Sequence, residues 1–440
     1  MKSLYRVLSL IFIFALVLAA CAPATPETIV ETRVETVVEE KTVETIVEVP
    51  AERAEVRLSG WVSSPSETAL LQSLLYEFSV QNPDILVKYE PITGDYKQAL
   101  LTSIAGGVEP DIFYVDIFWW LEFATNDVLL PIDDLMAGSG VGADEFIPSL
   151  VDAFTYDGNL YGIAKDFNTL GLFYNQGLFD NAGLEYPTDD WTWDDLKAAA
   201  AALTDASDSN RPVYGLCTAA DPGRFPVFVF QNGGSVMSPD FMDTTLDSEA
   251  AIGAAEFYTS FRAEGIGAAP ADVGEGWQGT AFGKGQCAMV YEGGWLIPYL
   301  RDQFPDVNYG VVLPPAGPGG EGNLIFTVAW AISADTENPE AAWKVIEFLT
   351  SEESQQAVLE SGFALPSRAS LQDSEYLQSN PNSDAIFRGS FEGAQPFFWG
   401  AYGSDVNDQM GKALERVFLE NQDVSESMKQ AAEAIRGLMR

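Results

Sequence analysis

The sequence predicts an α/β protein of two lobes, each a mainly parallel sheet flanked by helices. Three observations lead there. The chain has 440 residues, 47% hydrophobic and 12% aromatic, enough to bury two substantial cores. Short apolar runs alternate with helix-period stretches, the pattern of βαβ units. Runs such as Ile112-Phe113-Tyr114-Val115 show no polar alternation, as in parallel strands covered on both faces.

Taken in order, the chain starts with Lys2 and Arg6 ahead of an apolar run too short for a comfortable membrane span, ending in Leu18-Ala19-Ala20-Cys21. Residues 1–20 read as a cleaved secretion signal. Leu-Ala-Ala-Cys resembles a bacterial lipobox, in which Cys21 becomes the lipidated first residue and tethers an extracytoplasmic protein to the cell membrane. An uncleaved anchor would also leave the rest of the chain outside the membrane. Residues 21–54 continue as a degenerate Val/Glu/Thr repeat closed by Pro50. As a flexible charged stalk it would reach on the order of 100 Å at ~3.3 Å per residue. Val30, Val34 and Val38 at four-residue spacing leave a coiled coil as the alternative.

The globular part opens with a strand over Val56–Trp61, a turn at Ser63–Glu67 capping a helix to about Ser79, and a second strand over ILVKYEPI. A helix over Tyr96–Ala105 follows, then a third strand at Ile112–Val115. Ligands in such sheets sit at the carboxyl ends of strands, where Ser64 and Asp116 fall. A crossover is expected near Ala164–Asn168, then a strand around Leu170–Tyr174. Thr192 caps the helix TWDDLKAAAAAL, and VYGLC continues a second α/β unit. The Gly/Pro-rich stretch Val311–Asn323 suits a passage between lobes. Beyond it come a strand at Leu324–Ser333 and one helix over NPEAAWKVIEFLTSEESQQAVLES; the end of the chain is aromatic, then helical.

Lys and Arg number 23 against 65 Asp and Glu, a net charge of -42 that repels nucleic acid and anionic headgroups. With no His in the chain, His-dependent triads and His-ligated zinc are excluded. No GxxxxGK[ST] loop is present, so the chain carries no ATPase of that class. Cys217 and Cys287 either pair in an oxidising compartment or remain free buried thiols.

Several segments, in the same order, carry a family resemblance: the lipobox at Cys21, GVEPDIFYVDIFWWLEFATNDVLLPIDDL, GNLYGIAKDFNTLGLFYNQGLFDNAG, TWDDL, QNGGSV, AFGKGQCAMVYEGGWLIPYL, and VAWAISADTENPEAAWKVIEFLTSEESQQ with Leu365-Pro366-Ser367-Arg368. The chain resembles the extracellular solute-binding lipoproteins of sugar-importing ABC transporters, family 1, the class that includes maltose-binding protein. That resemblance implies the two-lobed periplasmic-binding-protein fold, with a multi-strand hinge and a solute held in the interlobe cleft. Lobe 1 would comprise 55–164 plus about 314–366, and lobe 2 165–313 plus about 367–440.

Sugars present hydroxyls to carboxylates and amides, and C–H faces to flat rings. Asp116 is a candidate acceptor, or else a helix cap. Trp119 is a candidate stacking ring, with one of Trp119 and Trp120 packing inward. The resemblance implies a sugar-stacking role for Trp295 and ligand contacts for Asp166 and Asn168, though these two would equally order the hinge. It also implies a further ring from the cluster Phe397, Phe398, Trp399 and Tyr402, of which Trp399 and Tyr402 are favoured; a dock for the last helix is the other reading. Ser64, Arg224 and Trp330 are weaker candidates, and Arg368 is expected to order the hinge.

The expected function is capture of a carbohydrate, an oligosaccharide by preference, and its delivery to the permease subunits of an ABC importer. The protein is expected to be monomeric, with no cofactor, metal or catalysis. A receptor for a cationic solute such as a polyamine is the alternative, since Asp with Trp also suits cations. A glycoside hydrolase is the more distant one. Several rings facing the cleft favour the oligosaccharide.

Overall fold

A computed structural model describes residues 53–440 apart from 63–64, 206, 208–211 and 391–392. The expected leader, Cys21, the stalk up to residue 52 and Ser64 therefore lie outside the described residues.

Strands β1 (Ala54–Ser59), β2 (Ile85–Tyr89) and β3 (Ile112–Asp116) pair in parallel, in the order β2-β1-β3. Helices Pro65–Gln81 and Tyr96–Ala105 make the crossovers between them. The second helix starts where the sequence places it because the Asp95 side chain accepts from the Gln98 N–H. Ile112, Phe113, Tyr114 and Val115 are all buried, as expected for a strand covered on both faces.

The chain then enters β4 (Ile163–Asn175), a single 13-residue strand. The crossover and the separate strand expected here are one element. Its first part, to Thr169, pairs antiparallel with β9 (Leu324–Ile332); from Leu170 on it pairs antiparallel with β7 (Cys287–Gly293). β4 thus changes partner midway, from β9 to β7. β5 (Tyr214–Cys217) lies parallel to β7 and to the short β6 (Gly267–Ala268). β8 (Tyr309–Val312) pairs with the end of β4, and β10 (Gln395–Pro396) with the start of β9. The full order is β2-β1-β3-β9-β4-β7-β5-β6, parallel at both ends and antiparallel across the middle. A second crossing lies beside β4, where Phe167 and Leu365 exchange backbone hydrogen bonds of 2.9 Å each.

Two details differ from expectation or resolve it. The helix expected after Asn338 is two helices, Pro339–Leu349 and Glu352–Ser361, because the Ser351 side chain accepts from the Ser354 N–H and starts a new helix after the break at Thr350. Cys217 and Cys287 form a disulfide between β5 and β7, Cα atoms 5.6 Å apart. Elsewhere, Trp193 stacks on Phe257 at 4.0 Å in one lobe, and Phe78 meets Phe348 at 5.5 Å in the other. Among the described residues no helix is long and apolar enough to cross a membrane.

Candidate ligand cleft

The antiparallel middle of the sheet builds the floor of a cleft of about 280 Å³. Asp116 on β3, Val328 on β9 and Asp166 on β4 stand in register across three neighbouring strands, and all three line the cleft. Strands ~4.8 Å apart set the two aspartate backbones about 10 Å from each other, with an apolar residue between. One step along the same face, Phe326 stands opposite Asn168.

The register shifts between Val328 and Ala329, where Val328 faces Asp166 but Ala329 faces Ala164. Lys165 is the extra residue of this bulge. A bulge breaks the inside-outside alternation, and here it lets Lys165 and Asp166 both reach the cleft. The Lys165 ammonium pairs with the Asp166 carboxylate and, at 3.0 Å, with Glu67 Oε1. It also lies 5.4 Å from the Tyr114 ring centre and 5.5 Å from that of Phe363. Burial opposes its charge, but Asp166, Tyr114 and Glu67 outweigh burial and hold the lysine protonated well above its usual range.

Asp116 has no such partner. The Phe118 N–H reaches its Oδ1 at 3.3 Å, and among the described residues no cation forms an ion pair with it. Burial pushes its carboxyl up to about 7, against the opposing pull of the Phe118 and Ile117 N–H groups. Asn168 Oδ1 is likewise buried without a hydrogen-bond partner.

Trp295 closes one wall. A Cβ at Gly293 would stand 2.4 Å from the Trp295 ring, and one at Gly294 2.5 Å from Asn168 Oδ1, so two glycines are needed for the ring and the amide to come this close. The indole N–H donates to Glu292 Oε2 at 2.7 Å. The fully buried Glu292 also accepts from Arg224 Nη2 at 2.6 Å and from Trp277 Nε1 at 2.8 Å. The Arg224 guanidinium lies 5.6 Å from the Trp295 ring centre. Arg224 therefore backs the ring and is not among the cleft-lining residues, contrary to the expectation for it.

The expected and observed rings divide cleanly. Trp119 is only 4% exposed and packs on Phe123 at 4.8 Å; Trp120 is buried against Phe154. The ring at the cleft is Phe118, two residues after Asp116, within the turn closed by the Trp119 N–H bonding the Asp116 carbonyl. Trp399 is buried, its Nε1 donating to Asn407 at 2.7 Å, and Tyr402 sits outside the cleft at 39% exposure. Phe397 lines the cleft in their place: β10 pairs with β9 and sets Phe397 5.1 Å from Phe326. Trp330 is buried beside Tyr114 at the edge of a side pocket of about 30 Å³ behind Lys165. Arg368 pairs with Glu145 and donates to the Thr350 carbonyl, away from the cleft lining.

The structure thus brings together Asp116, Asp166, Asn168 and Trp295, and it adds Glu67, Lys165, Trp61, Phe118, Phe326, Phe363 and Phe397. Of these additions only Phe397 carried a local signal, its place in an aromatic run; Phe118 reaches the cleft from the turn after β3, and Lys165 by the bulge.

Residues 63–356 match the bacterial extracellular solute-binding proteins. The chain belongs to this family. Its relatives are substrate-binding proteins. A binding protein of Brucella abortus (strain 2308) is 26% identical over 311 residues, 68% of this chain and 72% of that one. The maltotriose-binding protein of Pyrococcus abyssi is 26% identical over 297 residues, 65% of this chain and 60% of that protein. Among solved structures, an ABC substrate-binding protein of Listeria monocytogenes in complex with cycloalternan aligns with a TM-score of 0.81 at 28% identity, covering 88% of this chain and 99% of that one.

Proposed function

We propose that this solute-binding protein captures an oligosaccharide between its lobes and hands it to the permease of an ABC importer. The observation that carries the reading is the floor of the cleft, where hydroxyl-accepting Asp116, Asp166 and Asn168 lie among six rings: Trp61, Phe118, Trp295, Phe326, Phe363 and Phe397. That is the pairing a pyranose asks for, polar edges beside flat apolar faces. The ligands named for the Pyrococcus and Listeria relatives, maltotriose and cycloalternan, support the same class. So many rings favour a sugar over a small cation.

Trp295 acts as the stacking ring in this reading, and Asp116 and Asn168 as the hydrogen-bonding partners. Lobe 1 is residues 55–164 plus about 314–366, and lobe 2 the remainder of 165–440. The exchange of partners along β4, from β9 to β7, supports a boundary within that strand. The motif Leu18-Ala19-Ala20-Cys21 supports lipid anchoring of an extracytoplasmic protein. Mass spectrometry of the native protein is then expected to find a diacylglyceryl group on Cys21, and a chain retaining residues 1–20 would contradict it.

A thermal-shift screen against mono- and oligosaccharides, polyamines and peptides tests the ligand class. A ligand at 100 times its Kd adds about 2.7 kcal/mol to stability. Oligosaccharides are expected to give the largest shifts; a response confined to polyamines or peptides would overturn the reading.

A further inference from the structure

We propose that the cleft selects uncharged glycosides and rejects acidic ones such as uronates and sugar phosphates, and that Asp116 is the residue that sets this selection. The proposal rests on the carbohydrate reading above and concerns only the charge of the sugar.

Among the described residues, the cations at the cleft and behind Trp295 are already engaged. Lys165 is the one cation lining the cleft among the described residues, and it is bound to Glu67 and Asp166. Arg224, behind Trp295, is held by Glu292 at 2.6 Å and Asp221 at 3.3 Å. Neither is open to a carboxylate or phosphate without breaking a buried pair, and a buried charge left unpaired is expensive.

Acceptors are what remain open. Above about pH 7 Asp116 carries a negative charge with one backbone N–H within hydrogen-bond distance, and Asn168 Oδ1 has no partner. Hydroxyls supply the donors that both lack. An anionic group supplies only more acceptors and adds like charge near Asp116. At pH 8 the anion must either meet that charge or bind with proton uptake by Asp116, which limits this cost to about tenfold; leaving the anion without a cation partner adds to it. The chain's net charge of -42 works in the same direction by slowing the approach of anions.

The discrimination matters within this family, because a chain segment here is 30% identical over 142 residues to the sn-glycerol-3-phosphate-binding protein of Escherichia coli (strain K12). A phosphate-binding relative would be served by a free cation, and the one cation lining this cleft among the described residues is already paired.

The test is titration calorimetry at pH 8 on the whole protein with maltotriose, mannotriose, trigalacturonate and sn-glycerol 3-phosphate. At least one neutral trisaccharide is expected to bind, with both anions at least a hundredfold weaker. D116N, which removes the charge and keeps the shape, is expected to narrow that gap about tenfold, and an apo melt of the same variant verifies its fold. Either anion binding the native protein within tenfold of the better neutral sugar overturns the proposal, as does a folded D116N with an unchanged gap. If none of the four binds, the carbohydrate reading beneath it falls instead.

Discussion

Glu292 and Asp116 are both carboxylates at the ends of buried strands beside the same cleft, and they differ in what satisfies them. Glu292 is fully buried and accepts from Arg224, Trp277 and Trp295, so the protein itself supplies every strong donor. Asp116 meets one backbone N–H at 3.3 Å and no cation among the described residues. A buried polar group costs stability unless it is paired, and in the proposed reading a ligand hydroxyl supplies what Asp116 lacks. The first carboxylate builds the wall; the second, in that reading, meets the ligand.

The largest effect is expected where the wall is broken. Glu292→Ala leaves Arg224 without its closest partner and frees two indole N–H groups, and the loss of one partner of a buried pair costs about 3–5 kcal/mol of folding stability. Urea unfolding measures it; a loss below about 1 kcal/mol would mean that Asp221 alone holds the arginine. Next comes Trp295→Ala, expected to weaken sugar binding by about 1–3 kcal/mol, the cost of losing one stacking ring. Calorimetry should read this as a 5- to 150-fold rise in Kd, at about 1.4 kcal/mol per decade. Unchanged affinity with a collapsed apo melting temperature would move Trp295 from the site into the core. Smallest of all is Trp119→Phe. Because Trp119 packs on Phe123, the affinity should change by less than about twofold while the melting temperature falls; a large loss of affinity would restore Trp119 to the cleft.

The two carboxylates also mark the limit of what is readable from sequence. The helix Tyr96–Ala105 and the start at Thr192 are legible because a cap is a local bond: Asp95 to the Gln98 N–H, and Thr192 in a reciprocal pair with Asp195. β3 is legible because four consecutive apolar residues between turn signals suit a strand covered on both faces, and all four are buried. Asp116 is legible as a carboxylate that a covered strand does not require. The bulge at Lys165 is not, since it depends on the register between β4 and β9, more than 150 residues apart in the chain. Glu292 is hidden for the same reason, its donors coming from positions 224, 277 and 295. Choosing among aromatic neighbours fails most often: Phe118 over Trp119, and Phe397 over Trp399, turn on side-chain direction after a strand ends, which composition does not encode.

In the proposed reading Asp116 is held open for the ligand at a cost to the empty protein, and D116N at pH 8 tests this central claim most directly. Burial raises the native carboxyl to about 7, whereas an unfolded aspartate titrates near ~3.9. The protonated form thus favours folding: its contribution is complete below about pH 4 and is lost as the pH rises through 7. At pH 8 the native protein carries that penalty and the amide does not, so apo D116N should be more stable by about 1–3 kcal/mol, a figure discounted because the carboxyl is partly exposed. Below about pH 4 the two should converge. Binding should move the other way, with sugar affinity falling about tenfold or more as a charge-assisted acceptor is lost. A melting temperature that rises while affinity falls is the result this account predicts; a melting temperature that falls with affinity unchanged would contradict it and make Asp116 a structural cap.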